Sequence, residues 1–556
     1  MVDTIPVTPR ATVPYPYQHQ DPELQRDRLL AAIDVGTNSI HMVVVKIKSS
    51  LPAFTIIDRE KETVRLGDFS EDGNLSEDAM ERGIKALKRC RALAESLRAE
   101  DIVAVATSAV REANNGQEFL DRVQQEVGLS VNLISGTEEA RRIYLGVLSG
   151  MEFHNQPHAI VDIGGGSTEL LLGTGEPHRF LSSTKVGAVR LTARFVTTDP
   201  ITDEEFTYLT AYVRGRMEPA VEDLKRHLQS GEVLKLVGTS GTIECLAALI
   251  AQDRLGFVPE PLNGFQFSLQ ELQSWTEKLR QLNLEERLDL PEMSARRAEI
   301  IVAGAVILQE TMAMLGVASL TICERALREG VVVDWMLNRG LIEDRMQFQQ
   351  SVRERSVRAA ADKYHVPQAA RERVADFVLD LFDATKGHLH NWDHPERELL
   401  WAAAILHNAG HYISHSSHHK HSYYLIRNGE LLGYTEAEIE IIANVARYHR
   451  KSLPKKKHDN YRNLSAKHQR NLVNELSAML RIAVALDRRG IGAVASVKYY
   501  FNGTNKTLHL DICQASPQDD CASEVWNLED KKLWFEELYG VKVVAHRSSP
   551  VDTFSR

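Results

Sequence analysis

From Leu29 onward, the chain alternates short apolar runs with longer stretches in which apolar residues recur every three or four positions. "LLAAIDV" and "IHMVVVKI" flank the polar knot "GTNS", which predicts strand, tight turn, strand. From Ser76, "SEDAMERGIKALKRCRALAESLRAED" has a capping serine, acids in its first turn, and Ile84, Leu87, Cys90, Ala94 and Leu97 at helical spacing, so it predicts a helix. "IVAVAT" then predicts a buried strand, "GQEFLDRVQQEVG" a helix, "SVNLIS" a strand, and "TEEARRIYLGVLSG" a helix opening on two acids. Strands alternating with helices imply an α/β layer whose ligand sites lie at strand ends.

The pattern then restarts. "AIVDIGGGSTELLLG" is again strand, glycine-rich turn, strand, and Asp162-Ile163-Gly164-Gly165-Gly166-Ser167 repeats the type of Asp34-Val35-Gly36-Thr37-Asn38-Ser39. Such a repeat predicts two lobes of one ancestral fold across a cleft, each offering a turn, although short motifs also recur by chance. A third turn, "VGTSGT", follows a strand and opens a helix. From about Gln347 to Arg489 the chain becomes helix-forming, charged and His-rich, and beyond it alternating segments predict a small α+β region. The expected division is a disordered tail over 1–28, lobe I over 29–145, lobe II over 146–340, a helical domain over 347–490 and a small α+β domain over 491–556.

A length of 556 residues calls for several cores, and 43% hydrophobic with 26% charged residues is a soluble, globular balance. No apolar run approaches the roughly 20 residues of a membrane span, and the Pro-rich polar N-terminus does not resemble a signal peptide, so a cytoplasmic location is expected. Five scattered cysteines without a close pair fit a reducing compartment. A net charge of −10 argues against nucleic acid as a partner, and any polyanionic ligand would need a local basic track.

Turns of small residues after strands leave backbone N–H groups open to an anion, and three such turns predict a phosphate site. Asp34 and Asp162 stand ahead of the glycines, where carboxylates can hold Mg²⁺ directly or through water, and Glu169 could reach the same ion. Thr37, Ser39, Ser167, Thr168, Ser240 and Thr242 add hydroxyls. Phosphoryl transfer to water also needs a group that orients or deprotonates the water. Glu138 and Glu139, followed by Arg141 and Arg142, are candidates; acids also favour a helix N-terminus for dipole reasons.

In this order, "AAIDVGTNSIHMVVV", "ISGTEEARRIYLGV", "VDIGGGSTELLL", "VGAVRLT", "VGTSGTIECLA" and "ALREG" resemble the Ppx/GppA family of exopolyphosphatases and guanosine pentaphosphate phosphatases, within the actin, Hsp70 and sugar-kinase superfamily. The resemblance implies two actin-like (ribonuclease H-like) α/β lobes with a cleft, then an all-α HD-like domain and a small α+β domain. It implies Glu139 as the catalytic glutamate, with Asp162, Gly164 and Glu169 as metal and phosphate positions. Gly36, Thr37, Asn38 and Ser39 would form the first phosphate loop, and Gly238, Thr239, Ser240, Gly241 and Thr242 a channel wall. It further implies Mg²⁺-dependent, processive release of terminal phosphate from inorganic polyphosphate; trimming of pppGpp to ppGpp would use the same site, and a non-catalytic sensor is a third class. Long members suggest a homodimer. Arg325, before "ALREG", stands where a small residue is more usual.

The six histidines of "HNAGHYISHSSHHKH" raise a second possibility, a metal site. An HD-type centre needs adjacent His and Asp; here the pair is His407-Asn408, and a neutral amide is a poorer ligand. The upstream helix "RERVADFVLDLFDAT" lacks the needed His, although Asp487 keeps the downstream position. Just beyond, Arg447, Arg450, Lys451, Lys455, Lys456 and Lys457 form either the basic track a polyanion requires or a solvated loop.

Overall fold

The computed structural model describes residues 26–548 other than 49–52, 68–72, 176–177, 343–351 and positions 430, 433, 435 and 465. The expected tail lies outside the described residues except for its last three, of which Arg28 already opens a strand. The chain divides into two compact units, Met1–Val352 and Arg353–Arg556.

In the first unit, β1 (Arg28–Val35), β2 (Ser39–Lys48), β3 (Ala53–Thr63), β4 (Asp101–Ala106) and β5 (Val131–Leu133) form a sheet in the order β3-β2-β1-β4-β5. β1 to β3 are an antiparallel meander, while β4 pairs parallel to β1 and β5 parallel to β4. Side chains alternate across β1: Ala31, Ile33 and Val35 join one core with helices α1 (Glu77–Ser96) and α3 (Gly116–Val127), Leu30 and Ala32 another with α4 (Gly136–Leu148). Burial on both faces explains why β1 reads as a continuous apolar run. The short α2 (Ser108–Glu112) follows β4.

The second sheet repeats this path. β6 (His158–Ile163), β7 (Thr168–Gly173), β8 (Phe180–Thr184), β9 (Lys235–Thr239), β10 (Gln266–Ser268) and β11 (Ser319–Ile322) take the order β8-β7-β6-β9-β11-β10, again a meander followed by parallel strands β9 and β11, with β10 antiparallel at the edge. Its core is closed by α5 (Ala188–Phe195), α6 (Asp203–Arg226), α7 (Gly241–Leu255), α8 (Leu269–Gln281), α9 (Leu284–Leu288) and α10 (Ala295–Leu315). By length and composition α10 is apolar enough to cross a bilayer, which the reading of the sequence did not anticipate. Its apolar residues lie in the core of lobe II.

The expected lobe II, 146–340, ends in a helix that packs on lobe I. Helix α11 (Leu327–Asn338) returns from lobe II to pack on α4, where Gly146 and Gly330 let the helices approach: a Cβ on Gly146 would lie 1.9 Å from the Ala326 carbonyl oxygen. Arg141 clasps the pair, donating to Glu138 and to Asp334 at 2.7 Å. Leu30, Ile143, Ile160, Leu171 and Val331 therefore share one core between the sheets.

The second unit comprises α12 (Val352–Lys363), α13 (Gln368–Thr385), α14 (His394–Leu406), a 3₁₀ turn (Ala409–Tyr412), α15 (His418–Arg427), α16 (Glu436–Arg447), α17 (Asp459–Arg462) and α18 (Lys467–Leu486). A three-stranded sheet of β12 (Val494–Asn502), β13 (Thr507–Gln514) and β14 (Lys542–Ser548) follows, with α19 (Ala522–Lys531) and α20 (Leu533–Tyr539) between its last two strands. The small C-terminal region shares a core with the helices: Leu508, Leu510 and Phe535 lie with Leu381 and Leu476.

Candidate active site

Each sheet of the first unit carries an aspartate one residue before the end of an inner strand, followed by a tight turn. After Asp34, Gly36 N–H donates to the Ser39 carbonyl at 3.1 Å; after Asp162, Gly164 N–H donates to the Ser167 carbonyl at 2.9 Å. The amides of Thr37, Asn38, Gly165 and Gly166 are left without a backbone acceptor among the described residues, which is the condition for an anion nest. The turns meet: a Cβ on Gly166 would come 3.0 Å from Thr37 Oγ1 and 2.5 Å from Ser108 Oγ.

Ser108 donates to Glu112 at 2.9 Å, and Glu112 accepts Arg190 at 2.9 Å and Lys185 at 3.2 Å from lobe II. Arg190 Nε also donates to the Gly166 carbonyl at 2.9 Å, so one polar network ties α2 to the second turn.

Helix α4 begins beside these turns, capped by Ser135. Its two acids separate by environment. Glu138 is held by Arg141 and Arg142, whose hydrogen bonds bring its carboxyl down to about 2. Glu139 is 7% exposed and accepts Arg111 Nη1 at 3.1 Å. Burial, then the neighbouring charge of Glu169, pushes the Glu139 carboxyl well above the ordinary range against the pull of Arg111. Glu169 faces Asp162 in the β6/β7 register, accepts Ser183 Oγ–H at 2.7 Å, and is raised by burial to about 7. Burial also raises Asp162 and takes Asp34 to about 6. In lobe I the place opposite Asp34 belongs to His41, whose ring lies 2.7 Å from Ser39 Oγ and 3.3 Å from Arg328 Nη1.

Among the described residues, Arg111 is the only cation at ion-pair distance from any of the four carboxylates. Asp34 Oδ1 is buried and has no hydrogen-bond partner there. Hard oxygen donors with uncompensated charge fit Mg²⁺. However, no three His, Cys, Asp or Glu side chains among the described residues are grouped to ligate one ion. Asp34, Asp162 and Glu169 thus fit a cation that keeps its water shell, not a closed set of direct ligands.

The third turn differs from expectation. Gly238 and Thr239 belong to β9; a Cβ on Gly238 would overlap Leu320 and Ile243, and Thr239 Oγ1 donates to the Arg325 carbonyl at 3.2 Å. Both serve packing. Thr168 Oγ1 donates to the Val186 carbonyl and Ser240 Oγ to the Ile163 carbonyl, so those hydroxyl protons are used within the fold. Ser240 has φ +88°, a strained conformation for a residue with a Cβ, and it links β9 to α7 beside the second turn. Gly241 then opens α7, and Thr242 accepts Arg297 Nη1 at 2.8 Å. Arg297, Arg328 and Lys61 all face Glu244, and none has a carboxylate within ion-pair distance among the described residues.

The unexpected Arg325 is buried, stacks on Phe54 and donates to Ser149 Oγ at 3.2 Å, holding the crossing of α11. Arg111, Ser108 and Arg297 were not anticipated from the sequence. Their available signals were a Thr-Ser-initiated turn after "IVAVA" and two arginines opening an otherwise apolar helix.

The Ppx/GppA phosphatase family profile matches residues 43–339, and that for domain III of these phosphatases matches 352–532. The chain belongs to the Ppx/GppA phosphatase family. Among solved structures, the Aquifex aeolicus Ppx/GppA member is 31% identical, with a TM-score of 0.48 over 56% of this chain and 99% of its own. An exopolyphosphatase from Cytophaga hutchinsonii is 27% identical, with a TM-score of 0.52 over 56% of this chain and 98% of its own. The Cytophaga structure is thus matched over nearly its whole length by little more than half of this Ppx/GppA phosphatase.

Within domain III, the expected downstream Asp487 is taken: it accepts Arg373 Nε and Nη2 at 3.1 Å each. Arg373 belongs to α13, the helix in which an HD centre would need its upstream His. His407 Nδ1 donates to the Ala404 carbonyl at 2.6 Å. Arg447, Arg450, Lys451, Lys455, Lys456 and Lys457 have no carboxylate at ion-pair distance among the described residues. They differ in setting: Lys455, Lys456 and Lys457 are exposed, while Arg450 lies 3.1 Å from His418 Nδ1. Buried Arg481 donates to the carbonyls of Tyr448 (2.7 Å), Lys451 (2.8 Å) and Ser452 (3.2 Å), fixing this loop.

Proposed function

We propose that this Ppx/GppA phosphatase is an exopolyphosphatase that hydrolyses the terminal phosphate of inorganic polyphosphate. The observation carrying this reading is Glu139, buried and oriented by Arg111 beside two turns with unused amides. In the ionised form, Glu139 accepts a proton from water as the water oxygen bonds to the terminal phosphorus. The bridging P–O bond breaks, and the electron pair leaves with the shortened chain. Amides of Thr37, Asn38, Gly165 and Gly166 bind the oxygens on which charge gathers. Mg²⁺, held through water by Asp34, Asp162 and Glu169, would supply charge neutralisation at those oxygens.

Arg297, Arg328 and Lys61 are suited to the next phosphates of either a chain or pppGpp. Polyphosphate is favoured because the second unit carries exposed Lys455, Lys456 and Lys457 with no carboxylate at ion-pair distance among the described residues. Turnover of long polyphosphate and pppGpp compared on the same preparation tests the assignment: release from polyphosphate at the higher kcat/KM is expected, and cleavage of pppGpp alone would overturn it.

A further inference from the structure

Each of the two cleft turns is gripped by a short segment of its own lobe. Residues 64–67, after β3, grip the first: the amides of Val64 and Arg65 donate to the Asn38 carbonyl at 3.1 and 3.0 Å, and that of Gly67 to the Thr37 carbonyl at 2.9 Å. The start of α5 grips the second. There the amides of Ala188 and Arg190 donate to the Gly164 and Gly165 carbonyls at 3.0 and 3.1 Å, and Arg190 Nε donates to the Gly166 carbonyl at 2.9 Å. Both grips are close: a Cβ on Gly67 would lie 2.4 Å from Thr37 Cγ2, and one on Gly187 2.4 Å from the Gly165 carbonyl oxygen.

The gripping segments also reach across the cleft. Arg65 Nη2 donates to both carboxylate oxygens of Glu299, on α10 of lobe II, at 2.9 and 2.8 Å. Its backbone stands at φ +48°, a conformation that a residue with a Cβ keeps only where its surroundings fix it. In the other direction, Arg190 Nη2 of lobe II donates at 2.9 Å to Glu112 of lobe I, which also accepts Lys185 at 3.2 Å and Ser108 at 2.9 Å. Each lobe thus sends one arginine, tied to its own turn, to an acid of the other lobe. The core shared by β1, β6, α4 and α11 joins the lobes through apolar contact, which has no direction. Charge-assisted hydrogen bonds do have direction, so these pairs can set the spacing of the turns.

We propose that Arg65–Glu299 and Arg190–Glu112 are positioning pairs: acting through the turns rather than on the substrate, they hold both sets of amides at the spacing of one phosphoryl group. The proposal rests on the cleft being the site of phosphate release, as argued above. Without a pair the aligned arrangement becomes one of several, and apparent affinity falls with the fraction of molecules that hold it. KM therefore rises, while kcat at saturation is kept.

Arg65 and Glu299 are half-exposed, so exchanging them opens no core. Arg65→Glu should raise KM for tripolyphosphate by about three- to tenfold, the span of an exposed pair turned repulsive, with kcat within about twofold. Arg65→Glu combined with Glu299→Arg should restore KM. Glu112→Gln and Arg190→Gln should each raise KM, and together no more than the larger single effect, because they break one interaction. An unchanged KM in Arg65→Glu, or a rise that the exchange does not repair, would overturn the proposal. Alignment is also read without turnover, from the distance between spin labels on Lys85→Cys of α1 and Glu218→Cys of α6 in the full chain with Cys513→Ser, the other cysteines being buried. A narrow distribution should broaden with Arg65→Glu and narrow again in the exchange; a width that does not change would count against the pairs. KM is measured on pppGpp as well: if pppGpp alone is hydrolysed and its KM follows the same pattern, the exopolyphosphatase reading fails and the positioning pairs stand.

Discussion

Glu138 and Glu139 are adjacent, chemically identical and differently employed. Arg141 and Arg142 hold Glu138 ionised in the clasp between helices, whereas burial beside Glu169 raises the proton affinity of Glu139. Glu139→Gln should therefore lower phosphate release by about a thousandfold, a usual cost of losing a general base, with folding intact by circular dichroism. The four cleft carboxylates also make stability depend on pH. Asp34 and Glu169 are raised to about 6 and 7 in the folded state, so they bind protons that the unfolded chain releases nearer 4. Their favourable contribution is complete below about pH 4 and disappears as pH rises through 6 to 7. Mg²⁺ should consequently raise the melting temperature more at pH 8 than at pH 5.5; an equal rise at both would count against a carboxylate-held cation.

At the scale of elements, the turns are built by exclusion. Gly166 has Thr37 and Ser108 at its Cα, so Gly166→Ala would push the second turn from the first. Activity should fall by about a hundredfold, as misplacement near 1 Å can cost, with a stability loss of about 1–3 kcal/mol from overpacking. Gly238→Ala, which strikes Leu320 and Ile243 inside β9, should instead reduce the melting temperature while sparing KM. Both turns were legible because Asp, small residues and Ser recur at one spacing after apolar runs. Which hydroxyls stay free was not legible: Thr168, Thr239 and Ser240 donate to carbonyls brought near by other segments of the chain.

At the scale of the whole molecule, 98% of the Cytophaga hutchinsonii chain is matched by only 56% of this one. A chain truncated after Ile342 should therefore fold and retain kcat for tripolyphosphate within about threefold. If domain III holds phosphate chains, KM for long polyphosphate should rise by about tenfold or more, one decade per 1.4 kcal/mol of lost binding. Unchanged KM would remove the proposed role of the basic surface. The C-terminal sheet should unfold together with the helices of domain III in a thermal melt, because Leu508 and Leu476 share one core.

Local spacing alone determined the strands, the duplicated turns, the helix carrying Glu139 and the change of composition near residue 347. Each depends on neighbours in the chain: side-chain period, turn residues and caps. The tertiary structure decided what depends on distant pairs. It brought α11 back onto α4, set Arg111 against Glu139 and gave Asp487 to Arg373. Burial and partner charge set the chemistry of a carboxylate or an imidazole, and both are supplied by segments that sequence spacing does not connect.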